Sequence, residues 1–309
     1  MIEIILKSGK TAVDLCLYVL LPVMVVMMAM MKILDEKRIL TALSKLFYPI
    51  LRPFGLPGLG IFAALQILLV SFAAPIATLS IMEKEKISER EIAASLAMVF
   101  TMSQANATFP LTVYGLNFSY ILISSILGGV IASAITFYYF GRYLPFDTMH
   151  KDVKKEVSKK SMFDIVMEGG GEAVNLVFKS IPLILLAIFA VNILKEIHAI
   201  QILEKIFSPI MAVFGINSST TLPIITKFLA GGTAMMAVSV DLIKSGIMTS
   251  KDLNLIAGFV INPFDIVGVM VLCSAGAVTR KVAKYSILGA AVGVFVKGIL
   301  HYFIVLFFQ

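Results

Sequence analysis

Only two cysteines occur in the 309 residues, Cys16 and Cys273, and they stand in separate apolar stretches without ligand-like spacing. Neither a disulfide framework nor a zinc site follows from such a pair. Histidine is as scarce: His150, His198 and His301 fall in three unrelated segments, which argues against a metal centre. Charged residues make up 15% of the chain against 59% hydrophobic, with a mean hydropathy of +0.96. A soluble domain carries roughly 25% charged residues, so this composition belongs to a multi-pass membrane protein. No nucleophile, base and orienting group stand together, so nothing in the motifs supports an enzyme and no cofactor is expected. The net charge of +7 does not imply nucleic acid, because Lys and Arg collect in the connecting segments, as the positive-inside rule produces. The run Gly169-Gly170-Gly171 lies between Glu168 and Glu172, whose charges repel phosphate; a flexible helix entry is expected there. The first apolar run, residues 11–34, is too long for a signal-peptide core and lacks a small-residue cleavage pattern, so it is expected to stay as a helix.

What is present begins with an interruption. In Phe259-Val260-Ile261-Asn262-Pro263-Phe264-Asp265 a polar pair and a proline stand where the chain otherwise reads as a membrane span. Pro263 lacks an amide donor and clashes with the preceding turn, so a helix over residues 252–277 should break near Asn262. Irregular backbone at bilayer depth is tolerated only beside protein or a water-filled cavity, and a carboxylate there is a functional-site candidate by default. The break is therefore expected to form one wall of a binding site.

The same plan occurs twice. Phe47, Pro49, Ile50, Phe54 and Gly55 recur in step as Phe207, Pro209, Ile210, Phe214 and Gly215; Ser125-Ile126-Leu127-Gly128 returns as Ser286-Ile287-Leu288-Gly289 with one residue of drift. Each half reads as an apolar helix, an amphipathic interfacial helix, an interrupted segment, a broken helix and a clean span. The expected division is a first repeat at 1–141, a connector at 142–172 and a second repeat at 173–309. If the interrupted segments 58–82 and 220–243 turn back as hairpins, with the 142–160 connector cytoplasmic, about 17 Lys and Arg lie inside against about 6 outside. If they cross, the split is about 13 to 10, so the positive-inside bias favours hairpins. Each half then crosses three times and the second copy is inverted. The expected fold is an all-α polytopic protein of the cytoplasmic membrane: an inverted repeat of two units, each with an interfacial helix, a re-entrant hairpin, a broken transmembrane helix and full spans.

In register, Thr101 maps onto Asn262 and Gln104 onto Asp265, and Ser103, Asn106 and Thr108 add polar groups to the first break. With the hairpin tips at residues 71–75 and at Gly231-Gly232-Thr233, these are the candidate substrate-binding residues. Single Ser, Thr and Asn residues also serve plain helix–helix hydrogen bonding. Asp265 has three open roles: holding a coupling proton, ligating a coupling sodium ion, or pairing permanently with Lys227, four residues before Gly231. Asp265 and Lys227 are the candidate ion-coupling residues. Lys297 and His301 share a helix face in the last span, either lining a polar seam or with Lys297 reaching towards the interface. The 17 methionines read as adaptable packing, with Met235 and Met236 beside a hairpin tip.

The order of pieces, together with Phe-x-Pro-Ile at Pro49 and Pro209, the small-residue tips and Asn262-Pro263-Phe264-Asp265, resembles the nucleoside recognition (gate) domain family. That family includes spore maturation membrane proteins and the gate regions of ferrous iron permeases, and is similar in architecture to concentrative nucleoside transporters. The resemblance covers nearly the whole chain. It implies a two-hairpin transporter moving a small polar solute, nucleoside-like by the family name, by alternating access coupled to H+ or Na+. It also leaves open a divalent-metal permease, which the absence of a cysteine beside Pro75 disfavours, and a non-transporting membrane partner or gating subunit. The partners implied are a small-molecule solute and the lipid bilayer, with a homo-oligomer left open.

Overall fold

The computed structural model describes residues 2–146, 161–196, 209 and 211–309. Among the described residues the regular structure is helical throughout. The first apolar run is longer than its hydropathy alone suggested: α1 (Ile2–Leu15) passes through a π-helical turn, Cys16–Leu20, into α2 (Leu21–Glu36). α3 (Ile39–Leu51) ends in a 3-10 turn, Arg52–Phe54, and the chain then bends by 112° into α4 (Gly58–Leu69). α5 (Ala74–Lys84) follows, with Pro75 at its start, where a missing amide costs nothing.

Next come the pieces of the first broken helix, α6 (Glu89–Thr101) and α7 (Ala105–Thr112), and then the clean α8 (Phe118–Ile135). After the connector, α9 (Met162–Glu196) is one helix, so the run Gly169–Gly171 lies inside it instead of forming a flexible entry. The reason is packing: a Cβ on Gly169 would stand 2.9 Å from Ala29 Cα and from the Met28 carbonyl oxygen, so glycine lets α9 lie directly on α2. The expected amphipathic segment 195–214 falls mostly outside the described residues, as do His150, His198 and residues 147–160. The second half then gives α10 (Thr221–Ala230), α11 (Gly232–Lys244), α12 (Ser250–Val260), α13 (Ile266–Cys273) and α14 (Ala277–Phe308).

Local chemistry explains where the broken helices start. Ser88 Oγ accepts from Glu91 N at 3.2 Å and donates to the Glu91 carboxylate at 2.6 Å. Thr249 and Asp252 form a full reciprocal box ahead of α12, with Asp252 N on Thr249 Oγ1 at 3.1 Å and Thr249 N on the Asp252 carboxylate at 2.9 Å. Both caps satisfy amides that the first helical turn leaves free.

Two apolar cores hold the bundle. One includes Met24, Met28, Ile184, Met235, Met236 and Ile256, tying α2, α9, α11 and α12 together; the other includes Ile67, Leu79, Leu96, Phe100 and Val282, tying α4, α5, α6 and α14 together. Met235 and Met236 are thus core residues. By length and composition Ile2–Leu34, Phe118–Phe140 and Ala277–Phe308 can each cross a membrane. Neither piece of a broken helix can do so alone: the 13 residues of α6 rise about 20 Å against a hydrocarbon core of about 30 Å. Large apolar side chains on the outer faces of α8 and α14, among them Ile123, Leu127, Phe295, Phe303 and Phe307, are exposed. A water-soluble protein would cover such a surface; in lipid it is the proper outer face. The chain is a multi-pass membrane protein.

Candidate substrate and coupling site

Both broken helices lose their hydrogen-bond ladder at the expected places. α6 ends because Met102 turns extended, at φ −69° and ψ 153°, and α7 restarts from Gln104, which is also extended. α12 ends at Ile261, and α13 restarts with Asp265 as its N-cap, its carboxylate accepting from Gly268 N at 2.7 Å. Between them Asn262 repairs the backbone locally: its Nδ2 donates to Phe259 O at 2.8 Å and its Oδ1 accepts from Phe264 N at 3.0 Å.

The second hairpin tip reaches both breaks. Gly231 has φ +87°, which a side chain would strain, and a Cβ there would stand 3.5 Å from Asp265 Oδ1. A Cβ on Gly232 would lie 1.8 Å from Gln104 Nε2, so the Gln104 amide occupies the space that only glycine leaves open. The tip between α10 and α11 therefore touches the α6–α7 break through Gln104 and the α12–α13 break through Asp265. At the first tip Ser71 Oγ accepts from Ala74 N at 3.2 Å and caps its own half-helix, while Phe72 packs into the second apolar core.

Three buried basic side chains and one carboxylate lie nearby. The Lys227 ammonium donates to the Asp265 carboxylate in a buried ion pair, the third of the roles open to Asp265. Lys297 is fully buried and does not reach an interface: Nζ donates to Thr101 O at 3.1 Å, Ser103 Oγ at 2.9 Å and Ile261 O at 2.7 Å. Ser103 Oγ also lies 2.7 Å from Ser125 Oγ and 3.0 Å from Ile261 O, completing a polar knot between the breaks. One turn beyond Lys297, His301 is fully buried with Nδ1 3.0 Å from Ser124 Oγ and Nε2 without a hydrogen-bond partner.

The residues singled out from the sequence divide accordingly. Thr101, Ser103, Gln104, Gly231, Gly232 and Asp265 are brought into the convergence. Asn262 lies in it with both polar atoms committed to backbone, and Thr108 Oγ1 donates to Gln104 O at 2.9 Å. Asn106 Oδ1 is buried without a partner, and Thr233 is half-buried just past the tip. Lys297 was absent from the candidates; a lone lysine in an apolar run carries no motif. The place is packed shut, Thr101, Ser103 and Asn262 being fully buried. A cavity of about 200 Å³ lies elsewhere, lined by Thr11, Asp14, Ala237, Val240, Asp241 and Lys244; none of the residues of the two breaks borders it. Among the described residues no group of three or more His, Cys, Asp or Glu converges as a metal site would require.

Two interrupted helices meeting at their breaks, with a hairpin tip against both, define a discontinuous-helix membrane protein of the kind that secondary transporters exemplify. Comparison with known proteins makes this specific. A family model, Gate, described as nucleoside recognition, matches residues 17–117. Solved structures of the concentrative nucleoside transporter CNTnw share the fold. An outward-facing double variant aligns with TM-score 0.69 at 16% identity, over 94% of this chain and 75% of that one. The inward-facing substrate-bound state aligns at 0.66 and 16% identity, over 93% and 74%. No curated protein matches the sequence.

Proposed function

We propose that the chain is a secondary-active transporter that moves a small polar solute by alternating access, coupled to a monovalent cation. The solute class that best fits the family match and the substrate-bound CNTnw relative is nucleoside-like. The observation that carries the reading is the tip Gly231–Gly232, seated against Gln104 of one break and Asp265 of the other. Prising the tip from the breaks would expose Gln104, Asn106, Thr233 and the Asp265–Lys227 pair together, a set of donors and acceptors suited to a hydroxylated or heterocyclic ligand.

The halves are read as inverted copies, 1–141 and 173–309, with α4–α5 and α10–α11 as re-entrant hairpins and α3 as an interfacial helix whose Leu46 and Ile50 face lipid. A reciprocal contact supports this: a Cβ on Gly128 would meet Lys297 Cβ at 2.5 Å, and a Cβ on Gly289 would meet Thr136 Oγ1 at 1.8 Å. Gly289 is the counterpart of Gly128, and Lys297 that of Thr136, the first residue of the π-helical turn Thr136–Phe140 that continues α8, so this span and α14 exchange equivalent contacts as a pseudo-twofold pair does. The test is uptake of radiolabelled nucleosides and bases into proteoliposomes under imposed proton and sodium gradients. Concentrative uptake by the natural chain, lost in Gly232→Val, supports the proposal. Absence of gradient-driven uptake for every solute by a folded, reconstituted protein rejects it.

A further inference from the structure

The three acceptors around Lys297 Nζ have an unusual origin. Thr101 O belongs to the last residue of α6, and Ile261 O to the residue that ends α12. Two helices thus point their C-terminal ends, each carrying a partial negative charge from unpaired carbonyls, at a single point, and Ser103 Oγ adds a third oxygen. In transporters with discontinuous helices, unwound carbonyls and half-helix C-termini are the groups that hold the coupling cation. Here that point is filled by the chain's own ammonium. Its three N–H donors meet three oxygens, so no donor is left over.

The lysine is not required by the packing of the helices. In the first half the matching position is Thr136, which sits over Gly289 as Lys297 sits over Gly128, and a neutral hydroxyl satisfies the contact by donating to Ala132 O at 2.7 Å. Among the described residues no carboxylate lies within ion-pair distance of Lys297. The groups facing it are Lys227 on α10, whose positive charge acts on it and which Asp265 at the α12–α13 break neutralises, and His301 one turn along α14. α6 and α12 present carbonyls, and the α6–α7 break presents the Ser103 hydroxyl.

We propose that Lys297 is the resident cation of the junction between the broken helices, occupying the place of a free metal cation, so that the ion driving this protein is a proton carried on Lys297 Nζ. Loss of that proton to water on one side leaves a neutral amine with two N–H donors. One of Thr101 O, Ser103 Oγ and Ile261 O then loses the donor that Lys297 supplied, and the charge that faced both helix ends is gone. The joint between the halves loosens, and reprotonation from the other side restores it. This deepens the transport reading and rests on it for the word "driving", but the occupancy of the junction can be tested without any solute.

The experiment is thermal unfolding of the full purified chain in detergent, titrating NaCl against choline chloride at constant ionic strength. A free sodium site filled at about 100 times its Kd raises the midpoint by several degrees. The natural chain is expected to show the same midpoint in both salts. Lys297→Ser, which vacates the three oxygens, is expected to unfold earlier in choline and to recover selectively with sodium. A sodium-specific rise in the natural chain overturns the proposal, and so does a Lys297→Met variant with unaltered stability. Should neither variant fold, the natural chain in the two salts still decides. In proteoliposomes a proton gradient alone should then drive uptake. Failure of uptake with a sodium-indifferent midpoint counts against the transport reading, whereas uptake that requires sodium counts against Lys297 as the carrier.

Discussion

The buried pair between Lys227 and Asp265 offers the sharpest energetic test. Their side chains are 0% and 3% exposed, so neither charge can turn to water when its partner is removed. Asp265 has a second duty, since its other oxygen caps Gly268 N at 2.7 Å. Asp265→Asn can keep that cap through its amide oxygen but leaves the Lys227 ammonium buried beside a neutral group. Lys227→Met leaves a buried carboxylate with one backbone donor. Breaking a buried pair from one side costs about 3–5 kcal/mol, whereas an exposed pair is worth about 0–1 kcal/mol, so the two possibilities are well separated. Removing both charges together, as Lys227→Met with Asp265→Asn, leaves no stranded ion, and the cost should fall to about 1 kcal/mol because only packing and a cap have changed. Singles whose costs far exceed that of the double variant are the signature of coupling. Cys16 and Cys273 are both buried free thiols and supply the assay: a thiol-reactive fluorophore reports their exposure as detergent-solubilised protein is unfolded by heat or SDS. If each single variant costs under about 1 kcal/mol, or the double variant costs the sum of the singles, the pair does not hold the hairpin to the break. Uptake separates stability from function, because the double variant should regain stability without regaining ion-coupled uptake.

Further outcomes follow from single contacts. Gly128→Leu should destabilise by about 1–3 kcal/mol, because a Cβ at that site already meets Lys297 Cβ at 2.5 Å and Gly293 O at 3.0 Å; an unchanged unfolding midpoint would contradict the close crossing. Glu83 accepts from Thr279 N at 2.6 Å at the start of α14; burial pushes its carboxyl up, but the hydrogen bonds from Thr279, Val278 and Ala277 outweigh this and hold it below the ordinary carboxylate value. With the folded value depressed, its stabilisation is present above the unfolded carboxyl pKa of about 4.3 and is lost as pH falls through the folded value. Midpoints of the natural chain and Glu83→Gln should therefore converge on acidification; a constant gap would refute the assignment. Thr249→Ala removes one side of the capping box of α12 and should cost about 1 kcal/mol, read as faster amide exchange in the first turn of that helix.

What could be read in the sequence was whatever leaves a local mark. Pro263 forbids a continuous ladder, and the break is there; Gly231-Gly232 marks a reversal, and the chain turns there with a positive φ. Ser88 with Glu91 and Thr249 with Asp252 spell the helix starts in the same register, a second trace of duplication beside the Phe-x-Pro-Ile repeats. Other features have causes in the folded molecule only. Gly169–Gly171 reads as a helix breaker by propensity, but close packing of Gly169 on Ala29 overrides it. Asn262 looks like a ligand group until its amide is seen bonding Phe259 and Phe264. Lys297 is the clearest case: an isolated lysine in an apolar helix is indistinguishable from one that reaches for an interface until two helix ends, far apart in sequence, arrive at its ammonium.

The duplication also shows where the second half has departed from the plan. Asp265 stands where the first half has Gln104, Lys297 where it has Thr136, and His301 where it has Phe140. At each of these registered positions the ionisable group lies in the second half and its counterpart is neutral. Were the halves identical, two conformations related by exchanging their roles would have equal energy, and neither side of the membrane would be preferred. On the proposed transport reading, charge at these three positions in one half alone would remove that degeneracy, because the two conformations would hydrate the ammonium and the carboxylate differently, and only a difference between states can be biased by an ion. The first half keeps the helix crossing, through Gly289 against Thr136, and on the proposed reading Lys297 in the second half supplies the term that a proton would change. On the proposed transport reading, neutralising Lys297 should therefore narrow the energy difference between the two conformations at a cost in stability, while the Asp265–Lys227 pair keeps part of the asymmetry.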